Sequence, residues 1–186
     1  PHRTTGAGFM KRVLGVLTEE RAPISLMSTS NKRARIGIIG AGWWSTTAHI
    51  PGLEANPDAE LVAVSDVSEE ALERVRRAFP NEQGEARFHT YRDYREMLDR
   101  EGLDGVIVAV THRAHFDVAK TCLERGLHTL LEKPMVLHAP EAHALVQLAA
   151  DKKVELIIGY PYHYTAATLK AREILQSGKL GAIQLV

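Results

Sequence analysis

The chain has 186 residues, a mass of 20.6 kDa, 23 Lys and Arg against 23 Asp and Glu, and a sequence pI near 7.6. That length builds one domain with a full core, or one domain and the start of another. The even charge argues against a nucleic-acid binder that works through bulk charge, and 45% hydrophobic with 25% charged residues argues against disorder.

Residues 1–32 open on Pro1 and scatter Arg3, Lys11, Arg12, Arg21 and Lys32 among Thr, Ser and Gly, with Glu19 and Glu20 against them. They are expected to be a disordered leader, or sequence upstream of a start at Met27. From Arg35 on, strands and helices alternate. Residues 35–39 (RIGII) form an apolar strand that Gly40-Ala41-Gly42 breaks. A helix follows over 46–55, weakened by Pro51 in its middle. Residues 61–65 (LVAVS) make a second strand, and 68–79 a helix with Ser68 as N-cap and Glu69 and Glu70 in the first turn. A short strand at 87–89 and a helix over 92–100 come next. Residues 105–110 (GVIVAV) are a third long apolar run, and 114–125 a helix that ends at Gly126. Strand 129–131, helix 140–151 and strand 156–159 complete the series. Residues 181–186 (GAIQLV) read as a further strand just beginning, so the chain looks cut at both ends.

Strands apolar at successive positions are covered on both faces. Their alternation with helices predicts a doubly wound parallel α/β sheet, a Rossmann fold, over residues 33–158, with residues 159–186 as the truncated start of a second, α+β domain. Right-handed crossovers bring the carboxyl ends of the strands to one edge, where ligands bind. No apolar run approaches the roughly 20 residues of a membrane span. The single cysteine, Cys122, forms no intrachain disulfide and points to a reducing, cytoplasmic setting.

Gly40-Ala41-Gly42-Trp43-Trp44-Ser45 closes the first strand and opens a helix. Gly40 permits the tight turn, and Gly42, without a Cβ, lets a pyrophosphate lie against backbone amides at the positive end of the helix. Ser45 stands where a third Gly or Ala is usual. Asp66 ends the second strand, 26 residues after Gly40, where an acid grips the ribose hydroxyls. The alternative is a plain turn with Asp66 as a helix cap. Asp66 repels a 2′-phosphate and Val67 brings no cation, so NAD is expected over NADP. Trp43 and Trp44 lie beside the cofactor or wedge the turn against a second domain, the structural role being favoured for Trp44 and the choice left open for Trp43.

After the fifth strand comes Leu131-Glu132-Lys133-Pro134, which places a lysine at the cofactor edge. GIIGAGWW, LVAVSD, the stretch HFDVAKTCLERGLHTLLEKP over 115–134 and GYPYHYTAATLKAREILQSGKLGAIQLV together resemble the glucose–fructose oxidoreductase/inositol dehydrogenase (Gfo/Idh/MocA) family. The resemblance runs over residues 35–186. It implies an NAD(P)-dependent oxidoreductase of sugars, cyclitols and polyols, with a Rossmann domain followed by an open-faced sheet domain that forms the substrate pocket and a homo-oligomer contact. It implies that Lys133 orients the reacting hydroxyl and assists its proton transfer, that Glu132 contacts the nicotinamide ribose, and that Gly40, Gly42 and Asp66 bind the dinucleotide. The family's Thr-Pro pair after strand four is Thr111-His112 here; these two line the cofactor loop without the proline. His163 stands about where the family often carries a basic residue. The family's main proton-transferring Asp and His lie further on, so this chain is expected to bind NAD yet be catalytically incomplete.

An exposed lysine is protonated at neutral pH, and partial desolvation with a nearby cofactor charge would bring it toward its working range. His112, His115 and His128 fall short of a zinc set, because the one thiol lies inside a helix; no metal is expected. His49 is expected to pack or cap. Two other functions fit the same residues: a noncatalytic module sensing NAD(H), and a relative that uses NAD transiently for elimination or glycoside cleavage. The expected partner is a small sugar or polyol, with neither nucleic acid nor membrane.

Overall fold

A computed structural model describes residues 32–182. The expected leader therefore lies outside the described residues except for Lys32, and so do the last four residues of the expected strand at 181–186.

Six strands form one parallel sheet: β1 (Ala34–Ile39), β2 (Ala59–Ser65), β3 (His89–Tyr91), β4 (Gly105–Val108), β5 (His128–Glu132) and β6 (Leu156–Gly159). Their order is β3-β2-β1-β4-β5-β6, with every neighbouring pair parallel. This is the doubly wound Rossmann arrangement, and its order reverses between β1 and β4. The apolar side chains sort by sheet face. Ile36, Ile38, Val64, Ile107, Leu130 and Ile157 share one core with helices α1 (Ile50–Glu54) and α2 (Glu69–Ala78). On the other face Ile39, Val106, Val108 and Leu131 pack against α3 (Tyr94–Arg100), α4 (His115–Glu124) and α5 (Ala139–Lys152). A 3-10 turn (Pro161–Tyr164) and α6 (Ala166–Gln176) follow β6, and α6 buries none of its residues. No described helix is long and apolar enough to cross a membrane.

Several element ends differ from the sequence expectation, each for a local reason. The helix after the glycine turn begins as a π-helical turn (Ser45–His49) before α1. Pro51 has no N–H to give the ladder, and the wider turn ahead of it accommodates the ring. The third strand sits at His89–Tyr91, because Ala63 to Ser65 of β2 pair with those residues. Asp93 then caps α3, its carboxylate accepting from the Arg95 N–H at 2.9 Å, so the helix opens at Tyr94. Ladder pairing ends at Val108, two residues before the apolar run does. Ser68 caps α2 as expected, its hydroxyl accepting from Ala71 N–H.

Candidate cofactor site

Gly40 has φ +103°, and a Cβ there would stand 2.3 Å from the carbonyl oxygen of Ala109. The β4 strand tip passes too close for any side chain. Ser65 carbonyl oxygen accepts from the Gly40 N–H at 2.8 Å. Ser45 is buried, and its hydroxyl donates to the Gly40 carbonyl oxygen at 2.6 Å. This explains the departure at the third position: a small hydroxyl fits and locks the turn. Gly42 is different. A Cβ there would meet nothing within 4 Å, so the fold itself does not demand glycine. Gly42 is exposed at the start of the helix.

Asp66 lies at the tip of β2. Its Oδ2 accepts from the Ala41 N–H at 2.7 Å and its Oδ1 from the Ser68 N–H at 2.8 Å. The carboxylate thus bridges the glycine turn and the entry to α2, with further acceptor capacity left on each oxygen. Trp43 is 73% exposed beside the turn.

Glu132 is buried at the end of β5. Trp44 Nε1 and His49 Nε2 both donate to its Oε1 at 2.9 Å, and the Lys133 N–H donates to Oε2 at 3.2 Å. Burial alone would push this carboxyl up. The His49 hydrogen bond and charge, with help from the Lys133 and Trp44 N–H groups, outweigh burial and hold it below the usual carboxylate range. A Cβ at Gly159 would come 2.8 Å from Oε1, so the tip of β6 also shapes this carboxylate's seat. A cleft of about 500 Å³ adjoins it, lined by Leu53, Ile107, Leu130, Ile157 and Tyr164.

Lys133 is exposed immediately after Glu132, and its bond to Pro134 is cis. Thr111 and His112 are exposed on the loop after β4, where a 3-10 turn (His112–Ala114) replaces the proline the family pattern carries. Buried His115 ties these two loops: its Nδ1 lies 2.7 Å from the Pro134 carbonyl oxygen and its Nε2 3.1 Å from that of Val110. His112 stacks edge-on against His115, with ring centroids 5.5 Å apart. His163 is exposed between Tyr160 and Tyr164. Among the described residues no group of three or more His, Cys, Asp or Glu side chains could hold a metal ion.

The sequence model of an oxidoreductase family with an NAD-binding Rossmann fold, GFO_IDH_MocA, matches residues 34–160. The chain belongs to the Gfo/Idh/MocA family. A myo-inositol 2-dehydrogenase of Thermotoga maritima is 26% identical over 147 residues, covering 79% of this chain and 42% of that protein. A D-xylose 1-dehydrogenase (NADP(+)) of Hypocrea jecorina is 33% identical over 129 residues, covering 67% and 31%. A scyllo-inositol dehydrogenase of Lactobacillus casei, solved with NAD(H) and scyllo-inositol, superposes with a TM-score of 0.71 at 22% identity, covering 82% of this chain and 43% of that one; this likeness shows the fold. The chain spans less than half the length of the curated relatives it matches.

As a Gfo/Idh/MocA domain, the chain brings its expected residues Gly40, Gly42, Asp66, Thr111, His112, Glu132 and Lys133 to the carboxyl edge of one sheet. The Trp44 indole anchors Glu132. Sequence reasoning missed the parts played by His49 and Gly159. No local pattern signals them, since each acts on a residue from another strand tip; only the strand order makes them neighbours.

Proposed function

We propose that this chain is the dinucleotide-binding part of an NAD(P)-dependent oxidoreductase acting on a sugar, cyclitol or polyol hydroxyl. Residues 33–158 form that domain, and residues 159–186 begin the substrate domain. The observation that carries the reading is Gly42: the fold leaves its Cβ position open, in a turn aimed at the edge where Lys133 stands. The family and the inositol and xylose dehydrogenases among its relatives support the substrate class.

A bound nicotinamide would supply the hydride acceptor. The chain's residues prepare the rest. Backbone amides at 42 and 43 seat the diphosphate, while the Ala41 N–H holds Asp66, which receives ribose hydroxyls on its remaining lone pairs. Glu132, pinned by Trp44 and His49, fixes the strand tip that presents Lys133. Lys133 Nζ orients the substrate oxygen and takes part in moving its proton.

The test is calorimetric titration with NADH, alongside turnover of NAD and NADP with myo-inositol and simple sugars by the protein and by Lys133→Ala. NADH binding is expected in both. Where turnover is measured, Lys133→Ala lowers kcat by about 100-fold or more. No NADH binding at millimolar concentration overturns the reading. An unchanged kcat in Lys133→Ala removes the lysine from the chemistry and favours the other uses of the bound dinucleotide.

A further inference from the structure

Lys133 stands between two fixed points. Before it is Glu132, whose carboxylate Trp44 and His49 hold from the glycine-turn helix. After it is Pro134, whose carbonyl oxygen lies 2.7 Å from Nδ1 of His115, the first residue of α4. His115 also reaches the loop after β4. Its Nε2 lies 3.1 Å from the Val110 carbonyl oxygen, and the His112 ring meets it edge-on at 5.5 Å. Both carbonyl oxygens lie past the ends of the parallel ladders, which stop at Val108 and Glu132, so strand pairing does not reach them. His115 is wholly buried. Taking an imidazole out of water is costly unless its nitrogens are used, and an apolar side chain would fill the same space without that cost. The polar ring spends its nitrogens on the two loops that flank the cofactor edge.

Resting on the dinucleotide reading above, we propose that His115 is a positioning residue for Lys133. It fixes the Pro134 carbonyl oxygen against the loop 110–112, and so holds Lys133 at the nicotinamide end of a bound dinucleotide. The neutral ring has one N–H, and the shorter contact assigns it to Nδ1, toward Pro134. Nε2 and the His112 contact seat the other side of the ring on the loop after β4. The two loops then move as one unit. Being buried, His115 touches neither dinucleotide nor substrate; it acts through the backbone next to the lysine. Small displacements of a reacting group are expensive, which gives such an anchor its use.

The test reads the placement of Lys133 itself. Lysines of the whole chain are acetylated with acetic anhydride, and the rate at each is followed by peptide mass spectrometry. Labelling is run without NADH and with NADH at about ten times its Kd, in the parent, His115→Phe and His115→Asn. Melting curves and calorimetric titration with NADH establish folding and binding. In the parent, NADH is expected to slow labelling of Lys133 by about fivefold or more, and to leave Lys120 and Lys170 unchanged. His115→Phe keeps a ring and removes both nitrogens; the slowing at Lys133 is expected to fall below about twofold although NADH still saturates the protein. His115→Asn carries an amide N–H about where Nδ1 stands, and is expected to restore most of the slowing. Full slowing in a folded His115→Phe overturns the proposal, as does a loss in His115→Asn equal to that in His115→Phe. Failure of both variants to fold gives His115 a structural role alone and overturns it too. A parent that binds NADH without slowing at Lys133 does the same. In each of these cases NADH binding by the parent leaves the dinucleotide reading standing, whereas a parent that binds no NADH ends both.

Discussion

Two glycines two residues apart in the same turn, Gly40 and Gly42, answer to different constraints. Gly40 is required by the fold, through its positive φ and the Ala109 carbonyl oxygen 2.3 Å from its Cβ position. Gly42 has open space there, so its neighbours among the described residues do not require it, and the proposed diphosphate seat does. Gly42→Ala is therefore expected to melt within about 2 °C of the parent while NADH binding weakens by tenfold or more. Gly40→Ala is expected to lose several kcal/mol of stability, on the order of a strained, clashing site, and to fail both measurements. A Gly42→Ala variant that binds NADH normally would leave the turn as a structural feature alone. The sequence makes both glycines visible but cannot tell them apart, since that distinction belongs to β4.

Element by element, the hydrophobic runs and caps carry most of the fold. Continuous apolar strands and the Ser68 cap lie where the pattern puts them, because burial on both sheet faces leaves little choice. The departures fall where another element sets the limit: β3 by its ladder to β2, the π-helical turn by Pro51, the end of β4 by the end of its partner β5 register. Helix α4 illustrates how far burial governs chemistry. Cys122 sits on its inner face with no solvent exposure, and burial pushes its thiol up to about 12, with Arg125 opposing weakly. The native protein is expected to resist a thiol reagent at pH 8, and to react as fast as a free cysteine once urea unfolds it. Rapid labelling under native conditions would mean that α4 opens locally far below the global unfolding free energy.

At the scale of the whole molecule, the carboxyl ends of β5 and β6 are tied to the glycine-turn helix through a single buried carboxylate. Glu132 is ionised in the fold at a pH where an unfolded glutamate is partly protonated, because His49, Lys133 and Trp44 hydrogen-bond its charged form. A carboxyl held low in the folded state stabilises the fold above its unfolded value, about 4.3, and loses that contribution as pH falls through the folded value. Glu101 acts in the same direction: burial raises it, but His89 and Tyr91 hydrogen bonds, with the charges of His89 and Arg35, hold it low. Acid unfolding is thus expected to have at least two contributors, in opposite halves of the sheet. Replacing Glu132 with Gln keeps the shape and removes the charge. Urea midpoints measured between pH 7 and pH 3 should show Glu132→Gln less stable than the parent at pH 7. The gap should narrow steadily below about pH 4.3, as the parent's carboxyl takes up its proton. Glu101→Gln gives an independent narrowing, additive with the first because the two sites share no partner in the described hydrogen bonds. A gap for Glu132→Gln that stays constant across this range would mean that its charge contributes nothing. The amide's own hydrogen bonds would then account for the difference, and the Trp44–His49–Glu132 cluster would hold the strand tips together by shape alone.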